Sequence, residues 1–190
     1  MTPLSESIEI VSADLVGDRA IVWNPDHGMA LYAEGYFGQP VGIRKPKSPV
    51  FDKPLELSLI ECAYLTVENR IQVRNTVDNR VLTLSEIIAL GEKQASGFRD
   101  RCLVYYEVRH LGYIIRPGLK FGTDFAVYEH GPGKDHAPFL IHVIPQRRGV
   151  VPLDIVRAGR LATSVRKKFI IATVKESGDI AYYSFVWHRP

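Results

Sequence analysis

YIIRPGLKFGTDFAVYEHGPGKDHAPFLIH, residues 113–142, sets the architecture of the chain. Three short runs rich in β-branched and aromatic residues, YIIR, DFAVY and FLIH, are separated by Gly and Pro, so the stretch reads as strands joined by turns. Between the second and third runs lies EHGPGKD, a loop by composition. Tyr128 stands where the second run ends and His136 on the far side of that loop, and two strands joined this way can turn both side chains into one cleft. A cation is on hand at Lys167, in Ser164-Val165-Arg166-Lys167-Lys168.

Working outward, a helix is expected from about Ser96 to His110 with Gly112 at its stop, just before the strands. After them, Pro152 suits the first turn of a helix over PLDIVRAGRLATSV, whose Leu153, Ile155, Val156 and Leu161 can share a buried face. FIIATV and IAYYSFVW close the chain as two strands separated by KESGD. Upstream, residues 7–34 carry three apolar runs split by Val-Gly-Asp and Asn-Pro-Asp-His-Gly, which predicts a three-stranded meander with His27 in its second turn. Ser58-Leu-Ile-Glu61 and Thr83-Leu-Ser-Glu86 are capping-box patterns that each open a helix, with a strand IQVRN between them. The fold class is therefore α/β (α+β): an N-terminal α/β domain over 1–93, then a domain over 94–190 with a mixed β-sheet flanked by helices.

Residues 38–54, GQPVGIRKPKSPVFDKP, are unusual in holding four prolines beside Arg44, Lys45, Lys47 and Lys53. Proline at that density forbids helix, leaving an extended loop that is either a surface connection or an arm laying cations along phosphates.

The composition, 46% apolar and 24% charged, is that of an ordinary globular protein and excludes disorder as the main state. The net charge of +3 hides an asymmetry. Residues 1–93 hold nine Lys and Arg against thirteen Asp and Glu, and 94–190 hold fifteen against eight, so any surface attractive to nucleic acid belongs to the second half. Cys62 and Cys102 sit in apolar, helix-like surroundings and read as reduced core residues, which places the protein in the cytoplasm. No basic patch leads into a long apolar run at the start, and no stretch is long enough to span a membrane.

A tyrosine, a histidine and a lysine, with neither clustered carboxylates nor metal-ligand spacing, point to chemistry on a phosphodiester without metal or cofactor. RNA carries its own nucleophile: the 2′-hydroxyl attacks the adjacent phosphorus in line and expels the 5′-oxygen, leaving a 2′,3′-cyclic phosphate and a 5′-hydroxyl. Such a site needs a proton acceptor, a proton donor and a cation for the charge that builds on phosphorus. Imidazole is the side chain suited to proton transfer near neutrality, so His136 takes that part, and Lys167 the cationic one. Tyr128 is the awkward member, since a phenol near 10 is a poor base until a neighbouring cation such as Lys167 depresses it. Each residue alone has an ordinary alternative: strand tyrosines usually pack, loop histidines and surface lysines usually face water. His130 shares the loop, and His142 reads as packed or paired with a backbone carbonyl.

Four ordered segments carry a resemblance: Tyr106-Glu-Val-Arg109-His-Leu-Gly-Tyr113, Gly118-Leu-Lys-Phe-Gly122-Thr-Asp-Phe-Ala-Val-Tyr128, His136-Ala-Pro-Phe-Leu140 and Arg160-Leu-Ala-Thr-Ser-Val-Arg-Lys167. Together they resemble the catalytic core of archaeal tRNA-splicing endonucleases over about residues 104–190, with a weaker match before it. The resemblance implies a tRNA-intron lyase that cuts precursor tRNA at bulge-helix-bulge motifs. Its active-site tyrosine, histidine and lysine fall on Tyr128, His136 and Lys167, with Lys168 the rival for the last. It also implies a clamp on a bulge base by Arg160 and, near the C-terminus, Trp187, where Tyr183 and Arg189 are neighbours. The 38–54 arm resembles the extra basic loop of crenarchaeal catalytic subunits, with Lys45 the leading RNA contact and Arg44 and Lys47 behind it. Members assemble through an acidic loop, here 175–179 with Glu176 and Asp179, and through pairing of the last strand. The implied assembly is a two-plus-two heterotetramer with a structural endonuclease subunit, or otherwise self-association. A non-catalytic assembly subunit and a structured-RNA-binding module are the alternatives. A metal-dependent DNA nuclease would need an Asp…Glu-x-Lys cluster that the second half lacks.

Overall fold

The computed structural model describes residues 10–46, 48–156 and 167–184 and divides the chain into two compact units, Met1–Gln94 and Ala95–Pro190. The first is built on a five-stranded mixed sheet in the order β3-β4-β2-β1-β5. Here β1 is Val11–Val16, β2 Arg19–Val22, β3 Gln39–Pro40, β4 Leu55–Ser58 and β5 Ile71–Asn75. Only β1 and β5 run parallel; the other neighbours are antiparallel.

The meander expected over residues 7–34 is a hairpin followed by a helix. After β2 the chain enters α1, Pro25–Gly35, instead of a third strand, so His27 lies in its first turn. The cause is local: the Asn24 side chain accepts the Asp26 N–H and Pro25 occupies the start of the helix, where its missing N–H costs nothing. Leu31 and Tyr32 are then buried on one side of α1.

Both capping boxes form. Ser58 precedes α2, Leu59–Val67, and Thr83 precedes α3, Leu84–Gln94, with reciprocal bonds to Glu61 and Glu86. Glu61 does more than cap. It is 4% exposed, and one carboxylate oxygen takes the Ser58 N–H and hydroxyl while the other takes the Gly38 N–H at 2.8 Å. Gly38 has φ +70° and sits so close to β4 that a Cβ would stand 2.7 Å from the Glu56 carbonyl, so only glycine fits. Glu61 thus fixes the root of the Pro-rich arm. Val41 N–H to the Pro54 carbonyl closes the arm's base, and Phe51 folds back into the core, edge-on to Tyr32 at 5.7 Å. Cys62 lies in the core of this unit, its thiol pushed up by burial, while Cys102 of the second unit is half-buried; neither is in a disulfide.

The second unit carries the strands expected from residues 113–142 and beyond. Helix α4, Phe98–His110, leads into β6 (Ile114–Pro117), β7 (Phe125–Tyr128), β8 (Phe139–Val143), β9 (Lys168–Val174) and β10 (Ile180–Ser184). The sheet order is β10-β9-β8-β7-β6, antiparallel except for the parallel pair β8 and β9. Residues 152–156 are helical, beginning at Pro152 as proline's fixed φ favours. Ala126, Leu140, Ile144, Phe169 and Ile171 form a buried cluster on one face, with Phe121 and Tyr128 packed against it. No helix among the described residues is long and apolar enough to cross a membrane.

Replacing Glu61 by Ala leaves the Gly38 and Ser58 N–H groups without acceptors. The expected cost is about 2–3 kcal/mol, read as a lower urea midpoint with unchanged m.

Candidate active site

Strand direction assembles the site. Because β7 and β8 are antiparallel, the end of β7 lies beside the start of β8, with Val127 opposite Phe139. Because β8 and β9 are parallel, the start of β9 lies there too, with Phe139 opposite Lys168 and the Lys168 N–H donating to the Pro138 carbonyl at 2.9 Å. Tyr128, the segment 136–138 and Lys167 therefore meet at one end of three adjacent strands.

Alternation along a strand decides which face each side chain takes. Tyr128 shares parity with Ala126, and Lys167 with Phe169, so both belong to the face that carries the Ala126–Leu140–Phe169 cluster. Lys168 takes the other face, its ammonium 5.8 Å from the centre of the Phe139 ring. That opposite face, under α4, holds an apolar cavity of about 180 Å³ walled by Val108, Val127, Phe139 and Ile170 among others. Of the two lysines, Lys167 is the one on the same face as Tyr128.

Lys167 is held from two sides. Its ammonium donates to the Ala137 carbonyl, next to His136, and lies 5.6 Å from the centre of the Phe121 ring. Phe121 was not among the residues singled out from the sequence. It ends a 3₁₀ turn, Leu119–Phe121, folded around Gly118, where a Cβ would stand 2.3 Å from Thr123 Oγ1 and 2.8 Å from the Phe125 carbonyl carbon. Glycine at 118 lets that turn press onto β7 and fixes the ring. Lys120 also reaches Phe121, at 4.7 Å. Burial, and then repulsion from Lys120, hold the Lys167 ammonium below the ordinary lysine range, while Asp135 pulls the other way.

Tyr128 departs from expectation. Its phenol is pushed up, not down: burial is the main cause, Asp135 adds to it, and the cation that opposes the shift is Arg116 of β6 rather than Lys167. The resting site therefore holds a protonated phenol at neutral pH. His136 is exposed in the β7–β8 loop, between Asp135 and the buried Ala137. His130 is exposed in the same loop, and its N–H donates to Asp135.

His142 is paired with a carboxylate, not a backbone carbonyl: its Nδ1 lies 2.7 Å from Asp124 Oδ2, which also takes the Val143 N–H at 2.8 Å. Burial pushes the Asp124 carboxyl up, but these bonds and the charges of His142 and Arg101 outweigh it and leave it below the usual carboxylate range. His142 thus ties β8 to the turn before β7. Among the described residues, no three His, Cys, Asp or Glu side chains gather in a way that would hold a metal ion.

Arg44 and Lys45 are exposed on the arm of the first unit; Lys47, Arg160 and Trp187 lie outside the described residues. Glu176 and Asp179 occupy the turn between β9 and β10. Glu176 meets Arg147 at 3.2 Å on the surface, and Asp179 accepts from the Ser177 hydroxyl at 2.8 Å.

In a difference titration of phenolate absorbance against Tyr128→Phe, the Tyr128 phenol is expected to ionise above the ordinary phenol value of about 10. A midpoint below that value contradicts the burial argument.

The family model for the tRNA intron endonuclease N-terminal domain matches residues 11–88, and that for the tRNA intron endonuclease catalytic C-terminal domain matches 98–182. A tRNA-splicing endonuclease of Hyperthermus butylicus is 43% identical over 182 residues, covering 95% of this chain and all of the relative. Proteins of the same description from Saccharolobus solfataricus and Saccharolobus islandicus are 37% and 36% identical, each across 94% of this chain and 98% of the relative. With both domains present in order and archaeal relatives matched along nearly their whole length, the chain belongs to the tRNA intron endonuclease family.

Proposed function

We propose that this chain is a tRNA-splicing endonuclease that excises introns from precursor tRNA by metal-independent transesterification at bulge-helix-bulge motifs. The observation that carries the reading is the meeting of Tyr128, the 136–138 segment and Lys167 at one end of β7, β8 and β9, within a catalytic domain of that family. The substrate's 2′-oxygen attacks phosphorus and the 5′-oxygen leaves. Lys167 supplies positive charge beside the phosphoryl oxygens as charge develops there. His136, exposed at the mouth of the site, gives a proton to the departing 5′-oxygen. Tyr128 takes the 2′ proton as a scarce phenolate, whose higher basicity recovers only part of what its low abundance costs.

The remaining contacts follow the same reading. Arg44 and Lys45, with Lys47 beyond them, extend along RNA phosphates from the arm, and Arg160 and Trp187 clamp a bulge base by stacking. The acidic turn carrying Glu176 and Asp179 docks on another subunit, in a two-plus-two assembly with a structural endonuclease subunit. Native mass with and without that partner distinguishes it from self-association.

The direct test is cleavage of a bulge-helix-bulge transcript in EDTA, with product ends analysed. Cutting is expected to persist and to leave 2′,3′-cyclic phosphate; dependence on added metal overturns the reading. His136→Ala is expected to lose about 10²–10⁴-fold in rate with RNA binding retained. Lys167→Ala should lose about 10²–10³-fold, while Lys168→Ala, on the opposite face, leaves the rate nearly unchanged.

A further inference from the structure

The loop between β7 and β8 is closed at its neck by one carboxylate. Asp135 Oδ2 accepts the N–H groups of Glu129 at 2.9 Å and His130 at 3.0 Å, and Oδ1 accepts that of Gly131 at 2.9 Å. The chain also turns back on itself, with the Lys134 and Asp135 N–H groups both donating to the Gly131 carbonyl at 3.1 and 3.2 Å. Inside the loop lie Gly131 and Gly133, both at positive φ, which glycine adopts without strain.

His136 follows Asp135 directly and precedes Ala137, which is 2% exposed and whose carbonyl receives the Lys167 ammonium. The histidine is thus held between two anchors, one in the loop neck and one on the strand core. We infer that Asp135 is a positioning residue for the reaction: it fixes the neck of the β7–β8 loop so that His136 is presented beside Tyr128 and Lys167. This rests on the catalytic assignment of those three residues proposed above.

The same carboxylate acts on the site electrostatically. Among the described residues, the charged groups acting on Tyr128 are Arg116 from β6 and Asp135 from the loop, and those acting on Lys167 are Lys120 from the 3₁₀ turn and Asp135. Asp135 favours the ammonium of Lys167 and disfavours the phenolate of Tyr128. Its own carboxyl lies below the usual range, because the three N–H bonds and the charge of His130 outweigh desolvation.

Asp135→Asn keeps the size of the side chain, removes the charge and turns an NH₂ group toward backbone N–H groups that need an acceptor. Asp135→Glu restores the carboxylate one methylene further out. In the assembled enzyme, Asp135→Asn is expected to lower kcat on a bulged transcript by roughly 10–100-fold with KM little changed, in keeping with the cost of misplacing a catalytic group. Asp135→Glu should recover part of that loss. Two readouts are independent of cutting. Amide exchange at Glu129, His130 and Gly131 should accelerate in the Asn variant, and the Tyr128 phenol should ionise at lower pH than in the parent.

Wild-type kcat in Asp135→Asn, or a loss confined to KM, overturns the positioning role. Unchanged amide protection with an unmoved phenol titration does the same. If instead His136→Ala cuts normally, the catalytic assignment itself fails, so the two failures are told apart.

Discussion

The second unit depends on one pairing, the parallel register of β8 with β9. Phe139 opposite Lys168 brings the beginnings of two strands together, and the antiparallel β7 delivers its end to the same place. Had β9 entered antiparallel, its first residue would lie at the far end of the sheet and Lys167 would be some five residues of strand, on the order of 17 Å, from Tyr128. A parallel neighbour requires a crossover, and the chain between β8 and β9 supplies it, with a helix already under way at 152–156. Fold and site are therefore one constraint: the crossover that makes β9 parallel to β8 also brings Lys167 to the Tyr128 end of the sheet.

Electrostatics in the site are set by burial more than by pairing. Tyr128 packs against the Ala126–Leu140–Phe169 cluster, and that apolar contact raises its phenol further than Arg116 lowers it. Lys167 is likewise weakened as an ammonium by burial first and by Lys120 second. Both groups are thus drawn toward their neutral forms in the unliganded protein. A bound phosphodiester changes the balance for Lys167, since a nearby anion favours its charged form.

Much of the second unit was legible in the sequence because Gly and Pro punctuate it and its strands are rich in β-branched and aromatic residues. The two capping boxes were legible because they are local chemistry, complete within four residues. The first unit was read less well at α1. Asn24-Pro25 looks like a turn, yet it is equally a helix start, and the short apolar runs around it did not reveal which would win. Lys167 and Lys168 could not be told apart in the sequence because adjacent lysines differ only in the sheet face they take, which is visible only in the register of β8 with β9. Phe121 and Asp135 carried no motif signal. One acts through a ring brought close by tertiary folding, the other through bonds to three backbone amides, and neither kind of contact has a residue spacing that marks it.

The arm of residues 41–54 leaves and re-enters the first sheet at a single point, between Gln39 opposite Glu56 and Pro40 opposite Leu55. Its two ends are neighbours on adjacent strands, roughly 5 Å apart, so the excursion between them is topologically a closed appendix. Chain can be lengthened, shortened or exchanged beyond that gateway without shifting the register of any strand, provided Phe51 keeps its seat against Tyr32. The scaffold can thus change what this excursion presents at its surface by revising one loop, while the catalytic domain is left untouched.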